Sequence, residues 1–167
     1  MKRASIALGC VLLLGNSGSN AQQHQTCTGA QLGTWALKSY TVKDLESGQE
    51  KNDFGLHPSG YLSYGPDCRM YVILLKENRK APAELTPTDQ EKIELYSGLI
   101  AYAGSYTVDG DKFIHHIDAS WNQAWTGTTV VRQFKIEGNS LQVRTMPAKN
   151  PLTGRQSTAV LVYTKVE

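Results

Sequence analysis

At 167 residues the chain is long enough for one domain with one core. Its 17 Lys and Arg against 15 Asp and Glu show no basic stripe and no block of like charge, which argues against nucleic acid as a partner. Three cysteines without a CxxC spacing exclude a dithiol redox motif.

The first residues read as a targeting segment. Lys2 and Arg3 precede an apolar run, Ala4 to Gly15, that is short for a membrane span. Ser19 and Ala21 stand three and one positions before a cut after Ala21, the pattern of a cleaved signal peptide over 1–21. A lipoprotein reading of Cys10 is weaker, because Leu8 falls one position late for a lipobox. Cleavage predicts a secreted or periplasmic protein with no membrane span left. It also removes two bases and no acids, leaving a net charge of zero. Cys27 and Cys68 then remain. In an exported chain such a pair reads as a disulfide, with two separate thiols as the alternative. Closing a loop of roughly 40 residues contributes about 3–4 kcal/mol in the chain-entropy account.

After a loose polar arm (22–30), the pattern from residue 31 to 167 is that of a single β-rich domain. Leu32 to Val42 alternates, with Trp35, Leu37 and Ser39 on one face and Ala36, Lys38 and Tyr40 on the other. Asp44 to Gln49 is a turn, Lys51 to Leu56 a short strand, and His57 to Gly60 a second turn. Tyr61–Tyr64 and the apolar Arg69–Leu75 are strands around the turn Gly65-Pro66-Asp67. Thr88 with Glu91 forms a capping box that starts the one helix. Ile93, Leu95, Tyr96, Leu99 and Ile100 carry its spacing, and it should end between Gly98 and Gly104, covering an edge or a mouth of a barrel. Ser105–Val108 and Lys112–Ala119 flank Asp109-Gly110, a hairpin signal. Gly127–Glu137, Leu141–Met146 and Thr158–Val166 complete eight to nine strands, enough to close a small barrel around one ligand.

Four segments of this pattern resemble the bacterial and fungal lipocalin-like domain family. They are Leu32-Gly33-Thr34-Trp35; Pro58 to Leu62 with Arg69-Met70; Tyr96 to Tyr106 with Val108 to Asp111; and His115-His116 through Trp125-Thr126-Gly127 to Arg132-Gln133-Phe134. The resemblance implies an all-β fold, one eight-stranded antiparallel lipocalin-like (calycin) barrel with a central cavity and the short helix near mid-chain. Some fungal relatives sit in secondary-metabolite pathways, so it also implies small hydrophobic or polyketide-like ligands. Two departures stand out. Cys68 replaces the glycine usual before Arg-Met, which bears on the turn and fits the disulfide. Tyr163-Thr164-Lys165 replaces the usual Trp-Glu-Arg, so Lys165 would cover Trp35 with a point charge in place of a guanidinium plane.

The candidate site residues concentrate between Glu94 and Phe134. Arg132 shares a face with Val130, Phe134 and Ile136 and should point inward. There it binds an anionic ligand group or pairs with Asp118 or a glutamate. His115 and His116 are strand neighbours with rings on opposite faces, so they cannot share a metal ion from a regular strand. The apolar set Phe113, His115 and Ile117 favours His115 as the inward ring. The set Ile114, His116, Asp118 and Ser120 would suit a wet cavity, and a bulge would reverse the assignment. Tyr96, Tyr102 and Tyr106 offer hydroxyls on apolar rings, for ligand orientation or for plain packing. Trp121 and Trp125 flank a loop and form a lid or pack on the helix. Arg69 is an inward charge or a surface residue. No metal ligand set and no cofactor is indicated.

These residues fit three functions. The first is an exported barrel that binds a small apolar or amphipathic molecule. The second is a cofactor-independent isomerase or cyclase with His115, His116 or Tyr106 as acid–base and Arg132 stabilising negative charge. The third is a structural envelope protein with a barrel filled by its own side chains.

Overall fold

A computed structural model of the chain describes residues 26–166. The expected signal peptide (1–21) and residues 22–25 of the arm lie outside the described residues. The strands are β1 (Gly33–Asp44), β2 (Glu50–Lys51), β3 (Ser59–Tyr64), β4 (Arg69–Leu75), β5 (Leu99–Asp109), β6 (Lys112–Ser120), β7 (Thr129–Glu137), β8 (Ser140–Thr145), β9 (Ala148–Lys149) and β10 (Gln156–Lys165). One helix, α1 (Asp89–Ser97), lies between β4 and β5. Eight strands pair antiparallel in the order β1-β3-β4-β5-β6-β7-β8-β10, and β10 returns to β1. The sheet is therefore a closed eight-stranded barrel, with β2 and β9 as two-residue additions to β1 and β10.

The two ends differ. At one end tight turns join β3 to β4, β5 to β6 and β7 to β8. At the other, the long connections 45–58, 76–98, 121–128 and 146–155 surround a mouth. The tight end is sealed. Trp35 is fully buried, its indole N–H donates to the Gln31 carbonyl at 2.8 Å, and the Lys165 ammonium stands 5.1 Å from its ring centroid. Above it Tyr64, Tyr106 and Phe113 pack ring on ring, with centroids 4.7 Å (Tyr64–Tyr106) and 4.4 Å (Tyr64–Phe113) apart, and Phe134 stacks on Phe113 at 3.7 Å. Aromatic side chains thus fill the lower half of the barrel and exclude water there.

Two bulges set which side chains face inward. Between Leu37↔Tyr163 and Ser39↔Val162, β1 carries one extra residue, Lys38. The alternation read through Ser39 therefore slips by one: Trp35, Leu37, Tyr40 and Val42 are the buried set. The second bulge, at Asp118, follows Gly104↔Ile117 in the β5–β6 pairing. It lies beyond His115, so Phe113, His115 and Ile117 keep the inward face. At Gly104 a Cβ would stand 2.0 Å from the His116 carbonyl oxygen, so only glycine permits this strand approach.

Other boundaries moved for local reasons. The strand expected over Lys51–Leu56 shrinks to β2, because the Gly55 N–H closes a turn on the Asn52 carbonyl and drops Phe54 into the core. The helix has its capping box between Thr88 and Glu91 but stops at Gly98, whose N–H donates to the Glu94 carbonyl. Leu99 and Ile100 belong to β5, which starts six residues before the expected Ser105. No residue of α1 is buried, and Ile93 and Tyr96 are exposed, so the helix does not plug the mouth.

Cys27 and Cys68 form a disulfide with Cα atoms 5.2 Å apart. Together with the Cys27 N–H bond to the Pro66 carbonyl, it pins the chain from Cys27 onward to the β3–β4 turn. Cys68 has φ +59°, the left-handed conformation that suits the glycine expected there. The turn geometry survives the substitution, at a cost of about 1 kcal/mol. Replacing both cysteines by alanine should lower stability by about 3–4 kcal/mol. The pair Cys27→Ala with Cys68→Gly should recover about 1 kcal/mol of that loss in urea unfolding, because glycine releases the strain.

Candidate functional site

The upper half of the barrel is not filled. A cavity of about 90 Å³ opens to the mouth. Aliphatic walls come from Leu62, Val72, Leu74, Ile100, Val143 and Leu161, all on inward strand positions. Six polar side chains of the barrel interrupt them: Tyr40, Tyr102, His115, Arg132, Ser157 and Tyr163. Thr145 at the end of β8, the following connection as far as Pro151 and the ring of Trp125 form the rim.

His115 is the centre of a buried polar chain. It is 1% exposed. Its Nε2 lies 2.8 Å from the Tyr64 hydroxyl, and its Nδ1 lies 3.3 Å from the Tyr102 hydroxyl. Burial, and then the charge of Arg132, push its pKa down to about 3, so the ring is neutral. A neutral imidazole has one donor and one acceptor nitrogen, so one tyrosine donates to the ring and the other accepts from it. Burial also pushes the tyrosines up: Tyr40 to about 12, and Tyr64 and Tyr163 well above the ordinary phenol value. Tyr102 is raised by burial, while the adjacent Arg132 guanidinium opposes that rise.

Arg132 is therefore the charge at the centre of a neutral surround. It is half-buried, and it donates to the carbonyl of its neighbour Val131 at 3.1 Å. None of the ion pairs among the described residues includes it. The expected partner Asp118 points outward and is paired with Arg69 on the barrel surface.

The cavity brings together Arg132, His115, Tyr102 and Trp125 from the expected set. Trp125 packs edge-on against Tyr102, with centroids 5.5 Å apart, and against Trp121 at 5.3 Å. Trp121 lies behind it, and its buried indole N–H has no hydrogen-bond partner among the described residues. Four candidates lie elsewhere. His116 is exposed and bonded to the Thr129 hydroxyl, since strand alternation turns it outward. Arg69 occupies an outward position on β4. Tyr96 sits on the exposed helix, 6.3 Å from Trp121. Tyr106 is inside, but in the filled half, where its hydroxyl donates to the Gly65 carbonyl.

Tyr40, Tyr64 and Tyr163 complete the polar cluster and were not expected. Alternation in Gly60-Leu62-Tyr64 and in Ala159-Leu161-Tyr163 carried the signal for two of them. Tyr40 was hidden by the Lys38 bulge.

The family model of the lipocalin-like domain matches residues 32–166, the whole of the barrel. The chain belongs to the lipocalin-like domain family. No curated protein and no solved structure matched the chain. In this lipocalin-like barrel, as in the sequence pattern, a basic residue of the last strand covers the tryptophan of the first.

His115 also couples the cavity to stability. Its folded pKa of about 3 lies below the ordinary 6.5, so between these values the unfolded chain takes a proton that the folded chain refuses. The stability it supports is present above pH 6.5 and is lost as the pH falls toward 3. The advantage of the wild type over His115→Gln should therefore shrink by several kcal/mol across that window in chemical unfolding. A gap that stays constant with pH would show that the ring is not the titrating group.

Proposed function

We propose that this protein is an exported ligand carrier whose cavity holds one small, mostly apolar molecule with an anionic or carbonyl group. The observation that carries this reading is Arg132: a cation inside a barrel, facing an open cavity, without a carboxylate partner among the described residues. An uncompensated internal charge is costly, and a ligand oxygen anion offsets it. The aliphatic walls supply the burial, and the tyrosine hydroxyls orient the polar end. Export rests on the sequence pattern of residues 1–21 and agrees with the Cys27–Cys68 disulfide.

The geometry favours binding over acid–base catalysis. Both ring nitrogens of His115 are engaged by tyrosines, and the ring holds its proton poorly. A general base needs a free nitrogen within reach of substrate and a pKa near the working pH.

Native mass spectrometry of the protein from its own host, followed by denaturing extraction, tests the proposal. The expected result is a chain starting at Gln22, lighter by two hydrogens for the disulfide, with a bound small molecule that Arg132→Ala loses. A protein that arrives empty and ignores a broad panel of apolar acids and phenols would point to a barrel of structural role.

A further inference from the structure

We infer that the cavity selects small monocarboxylates, short-chain or single-ring acids, and rejects polycyclic ones. This deepens the ligand-carrier reading and rests on it. Two independent observations carry it, one of charge and one of space.

The charge argument is a count. Apart from Arg132 and the rim residue Lys149, the described side chains lining the cavity are aliphatic, aromatic, phenolic, hydroxyl, amide or imidazole groups. The phenols stay protonated and the imidazole stays neutral in so buried a setting. The interior therefore holds one positive charge. A monoanion brings it to neutrality, and a dianion overshoots. A neutral ligand leaves Arg132 without a counter-charge. Lys149 is the other cation near the opening, but it lies on β9 at the rim and is exposed. A guanidinium donates to both oxygens of a carboxylate at once, which a single hydroxyl or carbonyl oxygen cannot match.

The space argument sets the size. About 90 Å³ is below the roughly 150 Å³ of an engineered apolar cavity that encloses benzene. The barrel cannot deepen toward its other end, because Tyr64, Tyr106 and Phe113 are packed there and fully buried. A carboxylate head at Arg132 leaves room inside for a few carbons, and a single ring seats there only with its far edge out in the open mouth between Trp125 and Met146. A fused ring system of polyketide size does not fit between these walls, although the family resemblance points to such molecules.

Isothermal calorimetry with defined probes tests this. The series is benzoate, hexanoate, benzyl alcohol, benzylamine, phthalate and a tetracyclic monocarboxylate, against the full mature protein. Benzoate or hexanoate should bind at least about tenfold more tightly than benzyl alcohol, benzylamine or phthalate, the span of a charge-assisted hydrogen-bonded pair. The tetracyclic acid should be the weaker acid. Arg132→Met should erase the preference for acid over alcohol, and Arg132→Lys should keep part of it. Near-UV circular dichroism shows whether each variant is folded. If Arg132→Met does not fold, Arg132→Lys and the wild-type series decide. Equal binding of benzoate and benzyl alcohol overturns the inference, and so does tighter binding of the tetracyclic acid. That last result leaves the carrier reading standing, whereas no binding by any probe removes both.

Discussion

Closure of the sheet between β1 and β10 is the constraint on which the rest depends. An open sheet has a free edge and can slide in register, whereas a closed one has neither freedom. Once Trp35 pairs with Lys165 and Thr41 with Val160, every strand has a fixed inside and outside. The single extra residue at Lys38 is absorbed by this closure. It turns Tyr40 and Val42 into the barrel, and Tyr40 becomes part of the cavity wall.

The interior divides into two halves with different chemistry. The lower half is a stack of aromatic rings above a covered tryptophan, without space for solvent. The upper half has aliphatic walls and a cluster of hydroxyls around His115 and Arg132. Tyr64 belongs to both: its ring packs on Phe113 and its hydroxyl meets His115. The polar cluster is thus anchored on the rigid stack, so its hydrogen bonds are held in place before any ligand arrives. Such preorganisation lowers the ordering cost of binding.

Much of this was legible in the sequence, for physical reasons. Alternation over β4, the capping box at Thr88, the Asp109-Gly110 hairpin and the inward setting of Arg132 are local or periodic signals. What escaped was non-local. The bulge at Lys38 exists only because β1 must match β10, more than a hundred residues away. The start of β5 was masked by Leu99 and Ile100, which continue the helical spacing past Gly98, where the helix in fact ends. Asp118 and Arg132 both carried charge in an apolar neighbourhood, but alternation from the inward Ile117 leaves Asp118 outside, where Arg69 from the neighbouring part of the barrel surface meets it. Tyr106 and Tyr102 looked equivalent four residues apart. Only the packing shows one spent on a turn carbonyl and the other facing the cavity.

The three tryptophans occupy settings that make the protein its own optical gauge. Trp35 is sealed beneath an ammonium group, far from the mouth, and its emission should be indifferent to what enters the barrel. Trp125 stands on the rim with its ring against Tyr102, and Trp121 is its edge-on neighbour. A molecule seated against Trp125 changes the polarity and quenching around that one indole while the buried one supplies a constant internal reference. The fold therefore separates a signal from its baseline within a single chain, and occupancy of the cavity can be read from the unlabelled protein.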